Sequence, residues 1–208
     1  MAASRALARR ATYDDLAKLP DRVVGEILDG ELHVSPRPAV LHSLASSTLG
    51  SELVAPFQRG RGGPGGWWIL DEPELHLGED VVVPDLAGWR RERLPQLPVS
   101  PSLSLAPDWV CEILSPATER IDRVHKLPIY AREGVGHAWL INPEARTLEV
   151  YRRSGDAWLL VTSHEEDDVV RAEPFDAVAL ELKALWDAGQ EGGQDGTQDG
   201  SHRGTENG

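Results

Sequence analysis

Two apolar-rich runs, Val23–Leu28 and Glu31–Val34, flank the dipeptide Asp29-Gly30. Asp-Gly in that setting predicts a two-residue β-hairpin. Such a turn sets Leu28 opposite Glu31, Ile27 opposite Leu32 and Glu26 opposite His33. Glu26 and His33 then share one face, with Ile27 and Leu32 on the other. Upstream, Thr12 and Asp15 have capping-box spacing, which predicts a helix over Tyr13–Leu19 that Pro20 stops. Downstream, Leu41, Leu44, Leu49, Leu53, Val54 and Phe57 recur at helical spacing and predict a helix over Val40–Phe57. The Gly60–Gly66 segment (GRGGPGG) is a loop without the Lys-Ser/Thr of a phosphate cradle. Trp67–Leu77 reads as a strand with Pro73 at a bulge or edge. Val81–Trp89 reads as another that carries Pro84-Asp85, and Arg90–Pro107 as a proline-rich connection.

The run Asp108–Leu114 (DWVCEIL) is apolar after Asp108 except at Glu112, as a strand buried on both faces would be. Alternation puts Trp109, Cys111 and Ile113 on one face and Val110, Glu112 and Leu114 on the other. A helix over Thr118–Glu133 ends at Gly134 and is kinked by Pro128. Strands at Ala138–Ile141, Leu148–Arg152, Ala157–Thr162 and Val169–Arg171 form a meander, and Leu180–Ala188 reads as a closing helix. The order implies an α/β or α+β fold around a mixed sheet.

Charges within the apolar runs locate candidate chemistry. A carboxylate inside a central strand is costly unless it is paired, protonated or bound to a metal. Glu112 occupies such a place, and Asp85 a similar one in VVVPDLAGW. Two acids on two strands can converge at a sheet edge as oxygen ligands for a hard divalent cation. The alternative is that each acid ends a strand and faces water. Lys126 lies in the following helix with Asp122 and Tyr130 at i−4 and i+4 on the same face. It either reaches over the sheet toward Asp85 and Glu112 or makes an exposed pair with Asp122.

Charge narrows the partners. The 208 residues carry Lys+Arg 21 and Asp+Glu 34, a formal net charge of −13. Such a chain does not coat nucleic acid by charge alone, although a carboxylate active site is itself acidic. Residues 188–208 hold four of the acids and one arginine, leaving −10 on the rest. This tail lacks large apolar residues and is expected to be disordered. Residues 1–11 are read as a flexible start and 12–187 as one domain. Cys111 is the only cysteine, so no intrachain disulfide forms. The seven histidines include no HExxH pair. No apolar run approaches the roughly 20 residues of a membrane helix. A cytoplasmic protein without a membrane partner is expected.

Taken in order, several motifs carry a resemblance: Glu26-Ile-Leu-Asp-Gly-Glu31; Ser35-Pro36 with His42; Pro84-Asp85; Glu112-Ile-Leu-Ser-Pro116; Asp122 with Lys126 and Tyr130; and Gly134-Val135 leading to Trp139-Leu-Ile-Asn-Pro143. Together they resemble the Uma family of restriction-endonuclease-like proteins, within the PD-(D/E)XK nuclease superfamily, over residues 12–187. The resemblance implies a restriction-endonuclease-like mixed β-sheet flanked by helices, with an N-terminal β-hairpin and a C-terminal β-meander. It implies a metal-dependent endonuclease using Mg2+ or Mn2+ on nucleic acid, with DNA expected, and a homodimer. Asp85 matches the acid of the Pro-Asp motif, Glu112 the second acid and Glu26 the upstream acid. The superfamily's lysine is expected two residues after the second acid, but position 114 is Leu; the lysine has migrated to the next helix, as Lys126. By the resemblance, Asp85, Glu112 and Glu26 hold metal, Lys126 positions water or neutralises charge on the phosphorane, and Asp122 and Tyr130 orient the lysine. His42 contacts phosphate or Glu26, or is a packing histidine.

Other features are less specific. Seven tryptophans are many for this length; they can stack on bases, but core packing accounts for them more simply. Arg90, Arg91 and Arg93 lie beside the Pro-Asp strand as contacts to a DNA backbone or as a solvated loop. Two other functions share these residues: a non-catalytic nuclease fold that binds DNA or protein, and a hydrolase of small phosphate esters. The net charge and Leu114 favour the binding module, whereas the joint presence of Glu26, Asp85, Glu112 and Lys126 favours the endonuclease.

Overall fold

A computed structural model describes residues 9–187; the expected tail at 188–208 and residues 1–8 of the expected flexible start lie outside them. The chain opens with one helical turn, α1 (Tyr13–Leu16), where Asp15 Oδ2 accepts from the Thr12 backbone N–H at 2.9 Å and from its hydroxyl at 3.0 Å. The hairpin β1 (Val23–Leu28) and β2 (Glu31–Pro36) pairs Glu26 with His33, Ile27 with Leu32 and Leu28 with Glu31, the register read from the sequence. Asp29 and Gly30 both have positive φ, 53° and 85°, as a tight mirror-image turn requires. The long helix α2 (Val40–Leu53) runs into a π turn at Val54–Gln58.

The next two predicted strands each divide in two. Trp67–Leu77 becomes β3 (Trp67–Asp71) and β4 (Glu74–Leu77), broken at Glu72-Pro73. Val81–Trp89 becomes β5 (Asp80–Val82) and β6 (Leu86–Arg90), broken around Pro84-Asp85. Glu72 takes φ of 41°, and each proline removes a ladder donor, so neither run continues straight. The breaks move the chain between sheets: β3 and β6 belong to one, β4 and β5 to the other. The breaks adjoin, because Glu72 N–H donates to Asp85 O at 3.0 Å.

The remaining strands are β7 (Ser102–Leu103), β8 (Trp109–Ile113), β9 (His137–Asn142), β10 (Thr147–Ser154), β11 (Ala157–Glu165), β12 (Val169–Val170) and β13 (Leu180–Glu181). One sheet runs β2-β1-β5-β4-β7, the other β11-β10-β9-β8-β6-β3, and β12-β13 is a separate pair. The architecture is the expected mixed α+β, with its strands divided between two main sheets. The predicted closing helix at Leu180–Ala188 is, within the described residues, β13 and one 3-10 turn at Leu182–Leu185.

The β8 strand is buried along its length, as its apolar run foretold. Its faces feed two cores. Trp109, Cys111 and Ile113 pack with Leu49, Leu53, Trp139 and Phe175, whereas Val110 and Leu114 pack with Leu127, Ile129, Tyr130 and Leu140. The Trp109 and Trp139 rings meet edge to face at 5.3 Å, so these tryptophans are packing residues. The predicted helix after β8 is α3 (Glu119–Ile121), a π turn at Asp122–Lys126 and α4 (Leu127–Arg132). Pro128 lies just beyond the π turn. A proline has no N–H to keep the helical ladder in step, and the turn holds the extra residue. Among the described residues no helix is long and apolar enough to cross a membrane.

Candidate active site

The sheet-to-sheet crossings bring the predicted acids to one cavity of about 270 Å³. Its wall includes Glu26 from β1, Glu72 and Asp85 from the crossings, and Glu112 from β8, with Asp122 and Lys126 from the π turn. His42, in the first turn of α2, also lines it. Every site residue named from the sequence therefore lies on this wall except Tyr130, which stands behind Glu112.

Glu112 is 2 % exposed, and both of its oxygens have donors. Tyr130 Oη donates to Oε1 at 2.6 Å, and Lys126 Nζ to Oε2 at 2.8 Å. Tyr130 thus orients the glutamate, where the resemblance implied that it orients the lysine. Burial pushes the Glu112 carboxyl well above its usual range, an effect that Lys126 opposes and Asp122, Asp85 and Glu26 reinforce. The same burial pulls the Lys126 ammonium down, but Glu112, Glu26, Tyr130 and Asp122 outweigh it and hold the lysine well above its ordinary value. Asp122 Oδ1 lies 3.5 Å from Nζ, so the i−4 pair exists, but buried and not at the surface. Burial also raises the Asp122 carboxyl against the pull of Lys126.

Asp85 is held from two sides. The Ile113 backbone N–H donates to Oδ2 at 2.6 Å, locking Asp85 to β8 beside Glu112. His42 Nε2 lies 3.2 Å from Oδ1, so this histidine meets Asp85 and not Glu26. Burial pulls the His42 imidazole down, but the bond and charge of Asp85, with Asp122 and Glu72 beyond it, raise it above its ordinary 6.5. His42 Nδ1 is buried and has no hydrogen-bond partner among the described residues. Glu26 Oε1 accepts from Val83 N–H at 2.8 Å, tying β1 to the residue before Pro84-Asp85.

Two charged wall residues escaped the sequence reading: Glu72 and Arg37. Burial, with Asp71 and Asp85 nearby, raises the Glu72 carboxyl, while Arg37 and His42 pull it down. Its surroundings, Asp71-Glu72-Pro73-Glu74, are acidic, so Pro73, as a strand breaker, was the available signal there. Arg90, Arg91 and Arg93 hold the end of β6. Arg90 and Arg91 lie 4.5 Å and 3.9 Å over the Trp67 and Trp68 rings, and Arg93 pairs with Asp108 at 2.9 Å.

Among the described residues no group of three or more His, Cys, Asp or Glu side chains is already gathered as a metal centre. The chemistry of the donor set nonetheless fits a hard divalent cation. Five carboxyl groups face the cavity with two permanent cations, Lys126 and Arg37. The carboxyls of Glu72, Glu112 and Asp122 are all raised, in part by their acidic neighbours. Added positive charge would relieve that repulsion, and each oxygen of Asp85 and Glu112, engaged by one donor, retains a lone pair.

Comparison with known proteins gives a family match and a structural likeness. The sequence model described as "Uma2: Putative restriction endonuclease" matches residues 11–184. Among solved structures, the chain is similar to a protein of Anabaena variabilis described as a "putative nuclease belonging to DUF820". That likeness has a TM-score of 0.68 and 24 % identity, covering 85 % of this chain and 97 % of the other. It establishes a shared fold. No curated protein matches the chain.

Proposed function

The chain belongs to the Uma2 family, and from that premise we propose that it is a divalent-metal-dependent endonuclease hydrolysing phosphodiester bonds of DNA. The observation that carries this reading is the meeting of Glu26, Glu72, Asp85, Glu112 and Asp122 around one cavity at the seam between the sheets. Asp85 and Glu112 would hold the metal, with Glu26 beside them, and their hard oxygens suit Mg2+ or Mn2+. Bound there, such an ion polarises the phosphoryl oxygen and lowers the pKa of a water.

The chain's own groups set that stage. Ile113 N–H and His42 fix the two oxygens of Asp85. Tyr130 and Lys126 fix those of Glu112, which keeps both acids oriented before substrate arrives. Lys126 also ties Glu112 to Glu26, 3.3 Å from its ammonium, so three elements meet at one charge. Double-strand cutting needs two such sites, which a homodimer supplies.

A second reading, a nuclease fold retained for binding alone, draws support from the full engagement of Glu112 by protein donors. Calorimetry with Mn2+ separates the two. The endonuclease reading expects binding by the wild type, weakened at least tenfold in Asp85→Asn. A folded wild type that takes up no Mn2+ or Mg2+ would favour the binding module.

A further inference from the structure

Lys126 has no donor to spare for a substrate. Its three N–H bonds face four acceptors: Glu112 Oε2 at 2.8 Å, Val83 O at 3.1 Å, Glu26 Oε1 at 3.3 Å and Asp122 Oδ1 at 3.5 Å. It is also 4 % exposed. An anionic phosphodiester approaching this acidic cavity must find its positive charge elsewhere.

Of the cavity-lining residues, one other is permanently cationic: Arg37, in the short link between β2 and α2. Among the described residues its side chain makes one hydrogen bond, from Nη2 to Asp21 O at 2.6 Å, and forms no ion pair. A guanidinium carries five N–H donors in a planar fork, so most of its capacity is free. Its charge reaches into the site, because it pulls the raised Glu72 carboxyl down. The backbone beyond it reinforces that field. Pro38, Ala39 and His42 line the same cavity, and α2 begins there with no side-chain cap and no acid in its first turn. The α2 side of the mouth is therefore where positive potential faces the substrate.

We propose that Arg37 is the substrate-positioning residue, gripping a phosphate of the nucleic-acid strand at the mouth of the cavity through its guanidinium fork. This assignment rests on the endonuclease reading above. The two basic residues then have separate roles, Lys126 organising the acids and Arg37 receiving the anion.

The test uses the full chain, a fluorescein-labelled single-stranded oligonucleotide and plasmid cleavage with Mn2+. Anisotropy should show Arg37→Ala weakening binding by about tenfold or more, with a salt dependence shallower by about one charge. KM should rise in parallel while kcat changes by less than about twofold. Arg37→Lys should recover part of the affinity, because it keeps the charge and loses the fork. Circular dichroism checks that both variants fold. A wild type that binds and cleaves, with Arg37→Ala unchanged in Kd and KM, overturns the Arg37 assignment alone. Binding that falls in Arg37→Ala without any cleavage by the wild type supports Arg37 and overturns the endonuclease reading. A folded wild type that neither binds nor cleaves overturns both.

Discussion

Lys126 Nζ lies 2.8 Å from Glu112 Oε2 although the two residues stand 14 positions apart. The superfamily pattern places its lysine two residues after the glutamate, on the same strand and face. Here that place holds Leu114, packed with Leu127 and Leu140. The lysine instead descends from a π turn on the helix covering that face. A lysine thus reaches the glutamate from the covering helix rather than from its own strand.

This arrangement makes Lys126 a structural residue. Removing one partner of a buried pair leaves an uncompensated charge, at a cost of about 3–5 kcal/mol. Lys126→Met should lose that much in urea denaturation. Tyr130→Phe, which deprives Glu112 of one donor, should lose about 1–3 kcal/mol. The double variant Lys126→Met/Glu112→Gln should be less destabilised than the sum of its single changes. Additive losses would show that the two groups do not interact.

A methyl group on Gly88 of β6 would crowd its neighbours. A Cβ there would lie 3.2 Å from Trp109 Cε3 and 3.3 Å from both Trp67 Cε3 and Ile69 Cδ1. Gly88→Ala should cost about 1–3 kcal/mol through overpacking. A neutral result in thermal denaturation would mean that these tryptophans are not the rigid packing residues described above.

The carboxyl of Glu72 gives a pH signature. Its folded pKa is raised above its ordinary 4.5, with burial the largest cause. The folded state then binds the proton more tightly than the unfolded state. Its contribution to stability is present below about pH 4.5 and is lost as pH rises through the folded value. Glu72→Gln should therefore melt above the wild type at pH 8, by on the order of 1 °C. The difference should shrink toward pH 4.5. A difference that grows on acidification would contradict the raised value.

The hairpin was fully legible in sequence, because Asp29-Gly30 admits only a tight turn, and the turn fixes every pairing from Leu28–Glu31 to Glu26–His33. The β8 strand was equally plain, since burial on both faces leaves an unbroken apolar run. The two sheet crossings were not. Alternation along Trp67–Leu77 and Val81–Trp89 records which positions are buried, not in which sheet, so each looked like one strand. That same ambiguity hid Glu72, whose role depends on lying beside Asp85 at the neighbouring crossing. Arg37 was hidden for a different reason: an exposed arginine in a loop has no local pattern, and only the cavity marks it. The acids Asp85 and Glu112 stood out because charge inside apolar sequence is rare, and Glu26 was marked by the family resemblance. Their convergence follows from topology, through Ile113 N–H on Asp85 and Val83 N–H on Glu26.

The central claim is tested most directly by cleavage of supercoiled plasmid and single-stranded DNA with Mg2+ or Mn2+, comparing the wild type with Asp85→Asn and Glu112→Gln. Both substitutions keep side-chain shape, and circular dichroism verifies folding. The account predicts cleavage by the wild type that is abolished by chelation and falls at least a hundredfold in either variant. A folded wild type that leaves both substrates intact with either metal would contradict it, as would cleavage that persists undiminished in the two variants.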